Sequence, residues 1–176
     1  MLTYHLKKIK LILACSVTLL LSSCTKDNNN DAEISIFLQD APADYEKIKI
    51  EIKGVSIYSQ SAGQWVNLTV NNGIFDILTL DGNHQAFLGK IKLAGGTISQ
   101  MQLIIGNNNN ITVNGIDYPI VLDASDLDKL KVKMDNNINN GTAYKLTIDF
   151  KAAESIDNSG NVYKLKASLK VTLKAI

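Results

Sequence analysis

The sequence predicts an all-β fold, namely a single-domain antiparallel β-sandwich of Greek-key, immunoglobulin-like or transthyretin-like type. Apolar and polar residues alternate with a period of two along most of the chain after Glu33, which is typical of strands with one buried face. Asn, Gly and Asp separate these runs at short intervals, as turns between strands require. Helical periodicity is nearly absent, and no repeat of fixed length indicates a propeller or a solenoid.

The clearest strands lie in three segments. In residues 47–53, isoleucines at every second position form one apolar face, and the apolar set changes parity after Gly54, which predicts a bulge or a bend there. Residues 144–150 and 163–174 alternate in the same way, and we expect them to pair as a long antiparallel hairpin. Weaker strands are predicted in eight further segments, at residues 33–38, 64–68, 73–78, 90–93, 97–105, 111–113, 116–122 and 130–134.

Two turns are predicted from residue type. Asn114-Gly115 separates two predicted strands, and this dipeptide favours a type I′ turn because both positions need positive φ. Asp40 stands two residues before Pro42 at the end of a predicted strand. We interpret Asp40 as the acceptor of an Asx-type turn and Pro42 as the residue that fixes φ. A role of this group in ligand or metal binding is the alternative.

The first 32 residues differ in character from the rest of the chain. Lysines precede an uncharged run at residues 11–21, which is shorter than the roughly 20 residues that span a bilayer, so residues 1–23 are interpreted as a signal peptide. Residues 21–24, Leu-Ser-Ser-Cys, resemble the lipobox of bacterial lipoproteins, which implies cleavage before Cys24 and lipid on its sulfur. An ordinary signal peptide with an incidental cysteine is the alternative. Residues 24–32 are interpreted as lipidated cysteine and polar tether, and residues 33–176 as the β-sandwich domain.

These features predict a lipoprotein of the bacterial cell envelope, in the outer membrane and facing either the periplasm or the exterior. The membrane is the expected partner of Cys24, because two or three acyl chains anchor a protein stably. Cys15 lies in the predicted signal peptide and Cys24 would carry lipid, so no cysteine remains for a disulfide. The chain has a formal net charge of +1 and no arginine, which argues against a nucleic-acid partner.

Several motifs together resemble a known family. They are Leu38-Gln39-Asp40-Ala41-Pro42 followed by Tyr45, then Trp65, residues 76–80 and 93–106, residues 144–150 with 153–156, Gly160, and residues 163–166. On these residues the chain is similar to a family of bacterial lipoprotein domains, domain of unknown function 4382. The resemblance covers nearly all of the chain after Cys24. It implies a β-sandwich on a secreted lipoprotein, and it implies no established activity and no catalytic residues.

Aromatic and amide side chains are the candidates for ligand binding. Trp65 and Tyr118 can stack on a sugar ring, and Asn107, Asn108 and Asn109 can hydrogen-bond to sugar hydroxyls. The alternative is that these asparagines are solvated turn residues, since Asn tolerates the left-handed backbone.

A non-enzymatic function is expected. His84 is the only histidine after the predicted signal peptide, so a catalytic triad on any other histidine and His-based zinc sites are excluded, and neither a metal nor a cofactor is expected. We therefore predict recognition of a glycan or a protein at the cell envelope. The alternatives are a structural subunit of an envelope or pilus-like assembly joined by strand addition, and an accessory to a hydrolase. The oligomeric state is not predicted.

Overall fold

The computed structural model of the protein describes residues 30–40, 43–71, 73–123, 130–160, 162–166 and 168–176. The predicted signal peptide, Cys24 and Pro42 lie outside these residues. In the described part of the chain, no helix is long and apolar enough to cross a membrane.

The described residues form thirteen strands and two short helical segments. The strands are β1 (Ala32–Gln39), β2 (Lys47–Ser59), β3 (Gln64–Thr69), β4 (Ile74–Asp76), β5 (Ala86–Leu93), β6 (Gly96–Ile105), β7 (Asn110–Val113), β8 (Ile116–Val121), β9 (Lys131–Ile138), β10 (Ala143–Asp149), β11 (Ile156–Ser159), β12 (Val162–Leu165) and β13 (Lys170–Ala175). The helical segments are a 3-10 turn at Ile77–Thr79 and the helix α1 (Ala152–Ser155).

The strands form two sheets that pack as a β-sandwich, as the sequence predicts. The small sheet has four strands in the order β13-β10-β1-β5. The large sheet has nine strands, with β11-β12-β8-β7-β2-β6-β9 in order and with β3 and β4 also paired to β2. Because β2 is 13 residues long, its first half pairs with β4 and β7 and its second half with β3 and β6.

A bulge at Gly54 lets β2 keep one face buried along its whole length. Ile48, Ile50 and Ile52 are fully buried before the bulge, and Val55 and Ile57 are fully buried after it. The pairing of β2 with β6 shifts register between Ile52 and Gly54, which confirms the bulge that the parity change predicts. A Cβ on Gly54 would overlap the backbone carbonyl oxygen of Leu68 on β3, so the close approach of β3 requires a glycine here.

One hydrophobic core lies between the two sheets. The small sheet contributes the alternate residues of β1 and β10, and the large sheet contributes those of β2 and β6. Phe150, directly after β10, is the largest fully buried side chain among the described residues. Alternation with a period of two is therefore expressed in the fold as predicted, since each strand buries one face against the other sheet.

Two of the strand pairs contradict the prediction that all pairing is antiparallel. β1 runs parallel to β10, and β12 runs parallel to β8, so both sheets are mixed, while the other described strand pairs are antiparallel.

The long C-terminal hairpin is a second prediction that is wrong. β10 pairs with β13 in the small sheet, whereas β12 pairs with β8 and β11 in the large sheet. Residues 163–174 are therefore two strands, and the chain crosses between the sheets after Leu165. The Oγ atom of Ser155 anchors this crossing, because it accepts a hydrogen bond from the backbone nitrogen of Ser168 at 2.8 Å.

The turn at Asn114-Gly115 has the predicted backbone. Asn114 has φ +51° and Gly115 has φ +75°, and the two residues join β7 and β8 as an antiparallel hairpin. Positive φ at both central positions is the requirement that selects Asn-Gly in such turns.

Asp40 has a long-range role that the local pattern does not show. Its side chain is 6% exposed, and its Oδ1 accepts a hydrogen bond from the backbone nitrogen of Ala152, the first residue of α1, at 2.7 Å. Asp40 therefore joins the end of β1 to the segment that follows β10. Pro42, which is predicted to fix φ in the Asx-type turn, lies outside the described residues, so that turn stays a prediction.

Candidate functional site

Trp65 lies on the outer face of the large sheet, next to a second aromatic ring. It stands opposite Tyr58 in the pairing of β3 with β2, and the two ring centroids lie 5.5 Å apart at an interplanar angle of 73°. Both side chains are half-buried. Val55 and Ile57 of β2 point into the core. Because side chains alternate along a strand, Tyr58 points away from the core, and its register partner Trp65 lies on the same outer face.

Polar side chains surround these rings on the same face. Ser56 stands opposite Asn67 of β3 and Gln102 of β6, and Tyr58 stands opposite Gln100 of β6. The Oγ atom of Ser56 donates a hydrogen bond to the Oδ1 atom of Asn67 at 2.5 Å. We call this surface the aromatic face, defined as Ser56, Tyr58, Trp65, Asn67, Gln100 and Gln102. It presents two rings and amides on neighbouring strands, while Ser56 is only 5% exposed and its hydroxyl binds Asn67.

Lysines extend the aromatic face on its far side. β9 pairs with β6 so that Lys133 stands opposite Gln100 and Lys131 opposite Gln102. The row from Trp65 to Lys133 thus crosses four strands, about 15 Å at the usual strand spacing.

Asn107, Asn108 and Asn109 lie in the loop between β6 and β7, which Glu51 of β2 holds in place. The Oδ1 atom of Asn109 accepts a hydrogen bond from the backbone nitrogen of Glu51 at 2.8 Å, and its Nδ2 atom donates to the carbonyl oxygen of Gly106 at 2.7 Å. The Oε2 atom of Glu51 accepts a hydrogen bond from the backbone nitrogen of Asn108 at 3.0 Å. Asn109 is 4% exposed, while Asn107 and Asn108 are exposed.

The electrostatics of this loop favour an ionised Glu51. A hydrogen bond from Lys53, followed by the backbone nitrogen of Asn108, lowers the pKa of Glu51 below its usual range. The Nζ atom of Lys53 lies 2.5 Å from the Oε1 atom of Glu51. The side chain of Asn109 is thus fully used in holding the loop, and only Asn107 and Asn108 offer amides to solvent.

Tyr118 lies in another part of the large sheet and packs against a core residue. Its ring centroid is 5.4 Å from that of Tyr163 on β12, and Tyr163 is 5% exposed. Tyr118 stands opposite Ile111 on β7, which is fully buried.

The structure does not bring the predicted ligand-binding residues into one site. Trp65 pairs with Tyr58, whereas Asn108 and Asn109 bind Glu51, seven residues earlier on β2. At about 3.3 Å per residue of strand, these positions are roughly 20 Å apart.

A groove on the outer face of the small sheet was not anticipated from the sequence. Its volume is about 390 Å³. We call it the small-sheet groove, and it is lined by Gln39, Gln85, Lys145, Thr147, Thr172, Lys174, Ala175 and Ile176. The alternation along β10 and β13 does predict outward-facing lysines and threonines, but the parallel pairing of β1 with β10, which adds Gln39, has no local sequence signal.

Two phenylalanines lie beside this groove on the same face. Phe37 of β1 and Phe87 of β5 are register partners, with ring centroids 5.3 Å apart. Phe87 is 53% exposed, which is unusual for so large an apolar side chain. The Nζ atom of Lys145 lies 4.6 Å from the centroid of Phe37, within the range of a cation–π interaction.

Titratable side chains of the described residues do not cluster as metal ligands. No group of three His, Cys, Asp or Glu residues lies close enough to hold a metal ion in this part of the chain. His84 is exposed, and its Nδ1 atom lies 2.9 Å from the Oδ1 atom of Asp81. The backbone nitrogens of Asn83 and His84 donate to Asp81 and lower its pKa, so this pair belongs to a tight polar turn.

These features define an all-β sandwich with two polar outer faces, each of which includes aromatic rings. The chain belongs to the family described as "Domain of unknown function (DUF4382)", whose model matches residues 31–167. Comparison with curated proteins finds no match.

Comparison with solved structures finds similarity to a protein from Parabacteroides distasonis that is described as a "putative cell adhesion protein". The two share 15% sequence identity, with a TM-score of 0.45 over 82% of this chain. The matched region is 51% of that protein, so the chain spans about half of its length.

Proposed function

We propose that this protein is a non-enzymatic recognition module of the bacterial cell envelope that binds a glycan through its aromatic face. The observation that carries the proposal is the pairing of Trp65 with Tyr58 on an outer sheet face, beside the amides of Asn67 and Gln100. The partly exposed indole of Trp65 offers apolar surface on which a sugar ring stacks, and its neighbours offer hydrogen bonds to hydroxyls. Since the rings and amides lie in register on three neighbouring strands, an extended polysaccharide suits this face better than a small enclosed ligand.

Binding of neutral polysaccharides by the full-length protein, purified in detergent, tests this function. We expect Trp65→Ala to weaken binding about tenfold or more, which corresponds to about 1.4 kcal/mol. Trp65→Phe should retain part of the affinity because it keeps a ring. Ile116→Ala is the matched control, because Ile116 is an exposed apolar residue at 55% on the separate β7–β8 hairpin. Equal binding by wild type and Trp65→Ala, or no binding to any neutral polysaccharide, would refute the proposed site.

We also propose that lipid on Cys24 holds the module to its membrane. The support is the sequence pattern around Cys24, in which an apolar run and two serines precede the cysteine and a polar segment follows it. Acyl chains stabilise membrane attachment by about 0.8 kcal/mol per buried methylene, so a single modified sulfur suffices as the anchor. Cys24→Ser should move the protein from the membrane fraction to the soluble fraction. Mass spectrometry of the wild-type N-terminus should find acyl chains, and an unmodified Cys24 would refute the anchor.

A further inference from the structure

We propose that the small-sheet groove is a second binding site, specific for acidic glycans whose sugar units carry carboxylate or sulfate groups. This site lies on the opposite outer face of the sandwich from the aromatic face, so it goes beyond the proposed function and is tested separately from it.

The arrangement of cations and hydroxyls follows from the strand register. Lys145 of β10 stands directly opposite Lys174 of β13, and Thr147 stands directly opposite Thr172. Neighbouring strands lie about 4.8 Å apart, and residues two apart on one strand lie about 7 Å apart. Two ammonium groups and two hydroxyls therefore border one small area of the groove, with a spacing that suits the acidic group and hydroxyls of a sugar unit.

The charge of this face is unbalanced around Lys145 and Lys174. Among the described residues, two carboxylate side chains, Glu33 and Asp149, and five lysine side chains point to the outside of the small sheet. The lysines are Lys90, Lys92, Lys145, Lys170 and Lys174. The Nζ atom of Lys90 lies 2.6 Å from the Oε1 atom of Glu33, and Asp149 stands opposite Lys170. The hydrogen bond and charge of Lys90 lower the pKa of Glu33, so Glu33 is ionised at neutral pH.

Lys145 and Lys174 are register partners, and neither forms an ion pair with a carboxylate side chain of the described residues. The Nζ atom of Lys145 lies over the ring of Phe37. Like charges directly opposite on neighbouring strands destabilise a sheet. The chain as a whole has a formal net charge of only +1, so this excess of positive charge is local. A bound anion would lie between the two ammonium groups and remove their repulsion.

The remaining surface of the groove distinguishes a sugar from a simple anion. Phe87 is 53% exposed beside Phe37 and offers an apolar surface for a sugar ring. The side-chain amides of Gln85 and Gln39 hydrogen-bond to each other at the end of the groove and offer further polar groups. A volume of about 390 Å³ lies within the range of small-molecule sites and accommodates a short stretch of an oligosaccharide.

The test compares three polymers with the full-length protein in detergent: polygalacturonate for carboxylate groups, dextran sulfate for sulfate groups, and neutral dextran. We expect binding to at least one acidic polymer, and the better of the two identifies the acidic group. The double substitution Lys145→Gln and Lys174→Gln should weaken this binding at least tenfold and make it less dependent on salt concentration. Phe87→Ala should weaken it while leaving the salt dependence unchanged.

The control is the charge-matched double substitution Lys47→Gln and Lys49→Gln on β2 of the large sheet. It removes the same charge away from the groove and should leave binding within twofold of the wild type. Equal loss of binding in both double variants, or no binding to either acidic polymer, would overturn the proposal. Trp65→Ala tests the aromatic face and leaves the groove intact. Failure of the groove proposal can therefore be distinguished from failure of the proposed function.

Discussion

Replacement of Asp40 by alanine tests how the two ends of the small sheet are joined. Asp40 is 6% exposed, and the Ala152 whose backbone nitrogen it binds at 2.7 Å is fully buried. Hydrogen bonds to a charged group contribute about 1.5–3 kcal/mol, and a buried N–H left without a partner accounts for a similar loss. We therefore expect Asp40→Ala to lower the free energy of unfolding by about 2–3 kcal/mol, a large part of the 5–15 kcal/mol typical of a domain.

Urea unfolding followed by tryptophan fluorescence measures this effect, because Trp65 is the only tryptophan of the chain. The same loss should lower the melting temperature by about 5–10 °C. Asp40→Asn keeps an oxygen that can accept the bond and should cost less than Asp40→Ala. Asp44→Ala is the control, because Asp44 is exposed, and it should change stability by less than about 0.5 kcal/mol. An Asp40→Ala protein as stable as Asp44→Ala would show that the bond to Ala152 does not stabilise the fold.

Three further substitutions test the loop, the crossing and the bulge. The pKa of Glu51 is lowered in the folded protein, so its ionised form stabilises the fold at pH values above the ordinary glutamate pKa, and this contribution is lost as the pH falls through the lowered pKa. In Glu51→Gln the free energy of unfolding should therefore fall less steeply on acidification than in the wild type. Urea unfolding between pH 7 and pH 3 measures this difference. Ser155→Ala should lower the free energy of unfolding in urea by about 2 kcal/mol. The reason is that Ser155 is fully buried and its Oγ atom donates to the carbonyl oxygen of Phe150 and accepts from the backbone nitrogen of Ser168, both at 2.8 Å. An unchanged free energy of unfolding would mean that Ser155 does not anchor the crossing between the sheets. Gly54→Ala should destabilise the fold by about 1–3 kcal/mol and lower the melting temperature accordingly, since the added Cβ would overlap the backbone oxygen of Leu68. An unchanged melting temperature would contradict the close approach of β3 to Gly54.

Local patterns predict the features of this fold that depend on neighbouring residues. Alternation with a period of two depends only on which face of a strand is buried, so it correctly indicates the strands of the sandwich. The change of parity at Gly54 predicts the bulge in β2, and Asn114-Gly115 predicts the hairpin of β7 and β8. Each feature depends only on the backbone conformation of a few consecutive residues.

The same patterns do not say which sheet a strand joins. Residues 163–174 keep their alternation while the chain passes from β12 in one sheet to β13 in the other, since both strands bury a face in the same core. The parallel pairing of β1 with β10 joins residues about 110 positions apart, such as Glu33 and Ala143. Such pairings depend on the packing of the whole domain and leave no mark on local residue type.

The candidate sites follow the same division. Trp65 is identifiable as a large aromatic residue in a short strand, but its partner Tyr58 becomes evident only from the pairing of β3 with β2. The asparagines of the loop are ambiguous in sequence because the same amide can bind a ligand or hold a turn, and the structure shows that Asn109 holds the turn. The groove needs residues from three strands and from the segment before β5, so it emerges only from the sheet order.

The exposed lysines of the small sheet argue against assembly by strand addition at the edges of that sheet. Strand addition needs an open edge whose backbone groups can pair with another chain, and exposed lysines on an edge strand oppose such pairing. β13 is one edge of this sheet and carries the exposed Lys170 and Lys174. At the other edge, β5 carries Lys90 and Lys92, and the side chain of Leu68 from β3 packs beside Gly89. Lysines that oppose pairing at these edges also make the face between them positive, and this positive face is the feature on which the proposed acidic-glycan site rests.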